Sequence, residues 1–258
     1  MTVASPPPVD PPTAADVVEN AILGGKLRLL QPTRGYRAGM DAALLAAALP
    51  AGPNDRVLEA GCGAGAALLQ IAVRCLDTRL VGLERDSSAA ALARRNATLN
   101  GADDRIEIIT GDVAAGFAAL EHPLFDWAVS NPPFFDDETT LRAPAPAKRS
   151  AWIADDGLGV WTEFLTRSVK DGGGVVVIHR ADRLADLLAL LGTRCGSFAI
   201  RPIQPFADQP AKRVLVHARK AGRGPLRLLP ALILHDRSGS KHTPEADAIL
   251  RGEADLPW

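Results

Sequence analysis

Cysteine is scarce. Cys62, Cys75 and Cys195 lie far apart in a chain of 258 residues, and no CxxC pair or Cys/His ligand spacing occurs. That argues against a disulfide framework and against a zinc ribbon, so no metal is expected. A charge excess is missing too. The formal net charge is −1, which excludes a general polyanion-coating protein but leaves room for an enzyme with one local basic patch. No apolar run reaches the roughly 20 residues of a transmembrane helix. The first residues have neither a basic n-region nor an apolar h-region, so we expect no signal peptide, no membrane contact and a reducing, cytoplasmic setting. Repeats and heptads are absent. What is present is 47% hydrophobic and 23% charged residues, the balance of a globular protein large enough to need no staple.

Residues 1–16 hold five prolines and two acids, and we expect a disordered tail there. Residues 17–50 read as a cap over the site: a helix Asp16 to Leu23, a Gly24-Gly25 turn, a strand Leu27 to Gln31 and an apolar helix Asp41 to Leu49. From Arg56 short apolar strands alternate with helices, ending in strand-like stretches at Phe198 to Pro202 and Arg213 to Arg219. Such alternation specifies an α/β fold with a doubly wound, mostly parallel, Rossmann-like sheet. The last two strands lack a long helix between them and should pair antiparallel at the sheet edge. This places the main domain at 51–225 and leaves 226–258 as an extension packed on it. Phe135 to Asp156, rich in Pro, Ala and charge, reads as a mobile loop over the site.

The strand–turn–helix Glu59-Ala60-Gly61-Cys62-Gly63-Ala64-Gly65 stands out. Glycines at 61, 63 and 65 allow a sharp turn and close approach of a ligand, and the next helix offers free N–H groups. A plain tight turn uses the same residues. A dinucleotide fingerprint does not match, because it needs GxGxxG and this is GxGxG. Glu84 ends the next strand, where a carboxylate can accept both hydroxyls of a ribose, or simply be solvated. Asp112 follows the third strand; it can hold an amino group or cap a helix. Asn131-Pro132-Pro133-Phe134 follows the fourth strand. Two prolines remove two N–H donors, leaving carbonyl acceptors beside an amide oxygen and an aromatic ring. That corner suits a planar –NH₂ group.

In this order the pieces resemble a class I S-adenosylmethionine-dependent methyltransferase. The resemblance implies a seven-stranded sheet with an antiparallel last strand, and S-adenosylmethionine as cofactor with S-adenosylhomocysteine as product. It also implies a cofactor site at Glu59, Gly61, Cys62, Gly63, Gly65, Glu84, Arg85, Asp112, Val113 and Asn131. The glycine loop would pass under the methionine part, Glu84 would hold the ribose and Asp112 the adenine. The NPPF sequence is similar to that of enzymes methylating exocyclic amino groups, with Asn131, Pro132, Pro133 and Phe134 as the catalytic set. Gly24-Gly25-Lys26 and Gln31-Pro32-Thr33-Arg34-Gly35-Tyr36-Arg37-Ala38-Gly39-Met40-Asp41 resemble the bacterial tRNA adenine-N6 methyltransferase family, although Met40 stands where that family suggests Thr. There Arg37, Gly39 and Asp41 are expected over the cofactor, Arg37 pairing its carboxylate and Asp41 capping the helix beneath.

The expected activity is therefore tRNA modification: formation of N6-methyladenosine in an anticodon loop. The rivals are glutamine methylation of release factors, methylation of rRNA guanine N2 or DNA adenine N6, and a non-enzymatic nucleotide-binding module. Arg142, Lys148, Arg149, Lys212 and Arg213 are candidate contacts to the RNA substrate, with Arg219, Lys220, Arg223 and Arg227 a further late cluster; an ordinary solvated face is the alternative. Trp127 and Trp152 read as packing residues, and His179 as structural.

Overall fold

The computed structural model describes residues 17–33, 39–133, 157–237 and 239–258. The Pro-rich tail, the expected mobile loop and Trp152 lie outside them. The described chain opens with a β-hairpin, β1 (Val17–Ile22) and β2 (Leu27–Pro32), paired antiparallel. This corrects the expected helix at Asp16 to Leu23. Val17, Val18 and Ile22 are β-branched, and Leu27, Leu29 and Gln31 alternate inward along β2. The turn places Gly24 at φ 66° and Gly25 at φ 87°, and a Cβ on Gly24 would press to 3.0 Å from the Arg251 carbonyl.

Helix α1 (Met40–Ala47) follows, and the alternation begins with β3 (Arg56–Ala60), α2 (Ala66–Arg74), β4 (Arg79–Glu84), α3 (Ser87–Leu99), β5 (Ile106–Thr110) and β6 (Phe125–Ser130). Then come α4 (Gly157–Ser168), β7 (Val169–Arg180), α5 (Leu184–Leu191), β8 (Cys195–Gln204) and β9 (Arg213–Lys220). The sheet order is β5-β4-β3-β6-β7-β9-β8, parallel except for β9. The fold class is as expected from the sequence. The antiparallel strand is not at the edge: β9 is inserted between β7 and β8, so β8 again runs with the parallel set. Two short strands, β10 (Arg227–Leu228) and β11 (Leu232–Ile233), add in parallel to the outer edge of β8, making nine strands rather than seven.

Both faces of the sheet are covered, and period-two alternation sorts its residues. Val57, Val129, Val176 and Leu215 join the core with α1, α2 and α3. Leu58, Ala128, Val175, Val177 and Val216 join the core with α4 and α5. Asp171 to Gly174 lies within β7, between Val169, which pairs Phe125, and Gly174, which pairs Trp127. A side chain at Gly174 would collide with the Trp127 ring.

The hairpin is held by two asparagines one turn apart, Asn96 on α3 and Asn100 at its C-cap. Asn100 Oδ1 accepts from the Arg28 N–H at 3.0 Å and its Nδ2 donates to the Arg28 carbonyl at 2.7 Å. Asn96 does the same for Leu30, at 2.8 and 2.9 Å. Alternate residues of β2 are thus paired as if by a third strand. The C-terminal segment, with α6 (Pro244–Leu250), is tied to α1 and α2: Leu256 N–H donates to Ala47 and Trp258 Nε1 to Ala48, while Arg74 donates to the carbonyls of Ile249 and Ala254.

Candidate active site

The site is assembled at the carboxyl ends of β3, β4, β5 and β6, where parallel sheets present loops and helix N-termini. Gly61, Gly63 and Gly65 have φ of 71°, 55° and 84°, a region that disfavours other residues. The loop is pinned to β4: the N–H groups of Gly61 and Cys62 both donate to the Leu83 carbonyl, at 2.8 and 3.1 Å. Gly65, the N-cap of α2, has no side chain to cap with. Buried Glu59 supplies the missing acceptor, its Oε2 taking the Leu68 N–H at 3.1 Å. Burial pushes the Glu59 carboxyl well above its ordinary range.

The three glycines face different surroundings. A Cβ on Gly61 would lie 2.5 Å from the Trp161 ring, one on Gly65 would touch Ala93, and one on Gly63 would meet nothing within 4 Å. Gly63 is therefore bare backbone facing open space. Its N–H donates to Glu84 Oε2 at 2.9 Å, and the Asp86 N–H donates to Glu84 Oε1 at 2.9 Å. Glu84 is held rigidly, and burial raises its pKa against these two bonds. Each carboxylate oxygen retains acceptor capacity beyond one N–H. Cys62 turns its side chain into the core, and burial raises its thiol well above its ordinary range.

Asp112 caps the 3-10 turn Val113–Ala115, its Oδ1 accepting from the Ala114 N–H at 2.9 Å. Its Oδ2 lies 3.9 Å from Arg85 Nη1. Val113 is buried with Leu158 and Trp161 of α4. Asn131 is brought to the glycine loop by strand register: Ser130 pairs with Ala60, and the Ser130 hydroxyl donates to the Ala60 carbonyl at 2.8 Å. His179, at the end of β7, lies with Nε2 3.4 Å from the Pro133 carbonyl. That contact and Trp161 are features the sequence reading missed. Neither carries a local motif, since both arise from pairing and packing across the sheet.

Gly39 is the N-cap of α1. Asp41 lies in the first turn, and its carboxylate accepts from Arg213 Nε at 3.0 Å instead of capping the helix. Arg213 is thus engaged at the site's flank, beside exposed Lys212. Arg37, Phe134, Arg142, Lys148 and Arg149 lie outside the described residues. Of the further late cluster, Arg219 and Lys220 are at the other end of the sheet, and Arg227, paired with Ala199, is midway along it. β9 runs from Arg213, paired with Arg180 at the end of β7, down to Arg219, paired with Gly174, about 20 Å away. Arg219 stacks on Trp127 at 4.5 Å and Lys220 donates to the Val169 carbonyl. Trp127 is a packing residue, buried with Nε1 on Asp55 at 2.9 Å.

These residues suit S-adenosylmethionine. A rigid carboxylate at the end of β4, a bare glycine beside it and a second carboxylate at the end of β5 match a ribose diol, a close-lying chain and an adenine amino group. Among the described residues no cluster of His, Cys, Asp and Glu could hold a metal, and no helix is long and apolar enough to cross a membrane.

The methyltransferase small domain matches residues 37–145. The tRNA1(Val) (adenine(37)-N6)-methyltransferase of Porphyromonas gingivalis is 31% identical over 81% of this chain and 85% of its own length. The one from Yersinia pestis is 38% identical over 72% of this chain and 75% of its own. A release factor glutamine methyltransferase of Chlorobaculum tepidum is 28% identical over 58% of this chain and 54% of its own. Among solved structures, a predicted O-methyltransferase of Agrobacterium tumefaciens superposes with TM-score 0.71 at 28% identity, over 84% of this chain and 99% of that one. The chain belongs to the tRNA1(Val) (adenine(37)-N6)-methyltransferase family of S-adenosylmethionine-dependent enzymes.

Proposed function

We propose that the protein methylates N6 of an adenine in tRNA, the one its relatives are named for, and that it does so in the cytoplasm. The observation that carries this reading is the register of β3 against β6, which sets the Asn131-Pro132 corner beside the glycine loop, whose Gly63 N–H is in turn bonded to Glu84 on the far side of β3. S-adenosylmethionine supplies a methyl group already activated on a sulfonium. In this reading Glu84 holds the ribose, Asp112 and Arg85 border the adenine beside Val113, and Arg37, Gly39 and Asp41 flank the methionine end.

The chain's further task is to position the acceptor amine for in-line attack. The lone pair of an aryl amine is delocalised into its ring. Accepting its two N–H bonds at Asn131 Oδ1 and the Pro132 carbonyl favours the pyramidal nitrogen that attacks, which is preorganised electrostatic stabilisation. Proline at 132 and 133 carries no backbone N–H of its own. Stacking on the extruded base is the role proposed for Phe134, which lies outside the described residues. The proton leaves to water, and no side chain is assigned as general base.

The test is methyl transfer from labelled S-adenosylmethionine to unmodified bulk tRNA, followed by digestion and mass identification of nucleosides. N6-methyladenosine supports the proposal. Label on a release-factor glutamine, with none on tRNA, would move the substrate to the activity of the Chlorobaculum relative.

A further inference from the structure

The sheet places a second group of chemistry-bearing residues at the same end as Asn131. β8 ends at Gln204 and β11 ends beside it, Ile233 pairing with Gln204. The loops leaving these ends carry Phe206, His235, Arg237 and His242 in a row of flat groups. His242 stacks on His235 with centroids 5.1 Å apart, His235 lies 5.5 Å from the Phe206 ring, and the Arg237 guanidinium sits 5.3 Å above Phe206. The His235 Nδ1 contact to the Lys241 carbonyl, 2.6 Å, fixes the ring in place.

This row does not serve as core. Phe206, His235 and His242 are only half-buried and Arg237 is exposed. Arg237 pairs with Asp208 at 2.9 Å, but both side chains are more than half exposed, a setting in which a phosphate can compete for the guanidinium. Lys212 and Lys241 are exposed, and their ammonium groups make no ion pair among the described residues.

The row is continuous with the candidate site. A cavity of about 440 Å³ has Gly39 and Met40 on its wall together with His235, Lys241 and His242. Arg213, one residue after Lys212, is tied to Asp41 in the same first turn of α1. Four strand spacings separate the end of β6 from the end of β11, about 19 Å.

We infer that Phe206, His235, Arg237 and His242, with Lys212 and Lys241, form a docking surface for unstacked loop nucleotides of the RNA that carries the target adenine. This rests on the reading that RNA is the substrate and names where, beyond the methylation pocket, the RNA is gripped. Flat rings and a guanidinium plane accept bases face-on irrespective of sequence, while ammonium groups alongside take the phosphates. An acidic peptide would use the cations but has no call for a row of flat groups.

The test uses the full chain and a fluorescently labelled anticodon stem-loop, with binding read by anisotropy. Phe206→Leu and Arg237→Ala should each raise the RNA Kd at least about fivefold, and Arg237→Ala should lower the salt slope by about one. Both should raise the KM for tRNA. Cofactor Kd by calorimetry and melting temperature should stay at wild-type values, which separates lost docking from misfolding. Arg79→Ala, an exposed cation at the opposite end of the sheet where β4 begins, serves as the charge control and should change nothing. Kd values within twofold of wild type for both variants and for Lys241→Ala would overturn the surface, as would an equal loss in the control. Wild-type enzyme that forms N6-methyladenosine while the variants bind normally sinks the surface and leaves the function standing. Wild-type enzyme that binds no RNA sinks both.

Discussion

At the residue scale the site depends on a few fixed acceptors. Asn131 is one residue past the Ser130–Ala60 pairing, so its position is set by the backbone and not by its own side chain. Asn131→Ala should therefore lower kcat by about 10²–10³, with cofactor Kd nearly unchanged. Calorimetry showing that cofactor binding collapses instead would remove Asn131 from the catalytic set. His217 sits at the other extreme, buried between Trp127 and Trp258 at 5.5 and 5.2 Å. Burial, then Arg219 and Arg227, hold its pKa down to about 4. A depressed histidine pKa stabilises the fold above its ordinary value near 6.5 and withdraws that support as pH falls toward 4, by about 3 kcal/mol. His217→Phe keeps a ring in the stack and does not titrate. Its melting temperature should fall less than the wild type's between pH 7 and pH 4.5, and parallel curves would refute the burial argument. The glycines and Asn-Pro-Pro were legible in the sequence because each acts through its own backbone. His179 and Trp161 were not, because each matters only through a partner distant in the chain.

At the element scale the hairpin is the informative case. Asn96 is fully buried and bonds Leu30 twice, then donates from Nδ2 to the Ala64 carbonyl in the glycine loop at 2.9 Å. One side chain thus joins β2, α3 and the loop beneath the candidate cofactor. Asn96→Ala leaves backbone groups without partners and should cost about 2–4 kcal/mol. It should also weaken S-adenosylmethionine binding, because Ala64 loses its anchor. Thermal melts and calorimetry on one variant check both effects; a stability loss with unchanged cofactor Kd would separate the loop from the hairpin. The helix expected at Asp16 to Leu23 fails for a related reason. Six residues of valine, glutamate, asparagine, alanine and isoleucine carry no decisive periodicity, and β1 forms because β2 lies alongside it, itself paired by asparagines from α3.

At the scale of the whole molecule, the C-terminal segment joins elements otherwise separated by the sheet's connectivity. The Arg74 side chain is only 6% exposed and pairs with Asp255 as well as the two carbonyls it holds. Arg74→Met keeps the apolar stem and removes the donors. It should lose about 3 kcal/mol and render the segment after α6 susceptible to limited proteolysis. A variant as resistant as wild type would show that Leu256 and Trp258 suffice as anchors. The distribution of charge is also a property of the whole. Lys212 and Arg213 sit at the site's end of the sheet, while Arg219 and Lys220, a few residues on, are engaged at the far end because β9 runs antiparallel between them.

The sequence by itself determined the alternation from Arg56 onward, the GxGxG turn at positive φ, the carboxylates after β4 and β5, and the proline corner after β6. Each is encoded in hydrophobic period or in the backbone freedom of single residues, which neighbours in the chain suffice to express. Tertiary structure alone decided that residues 17–22 are a strand, that β9 inserts inside the sheet instead of bordering it, that Asp41 pairs Arg213, and that the late basic residues divide between two ends of the molecule. Those outcomes depend on register and pairing between segments as much as 172 residues apart, where the deciding partner is absent from any local window of sequence.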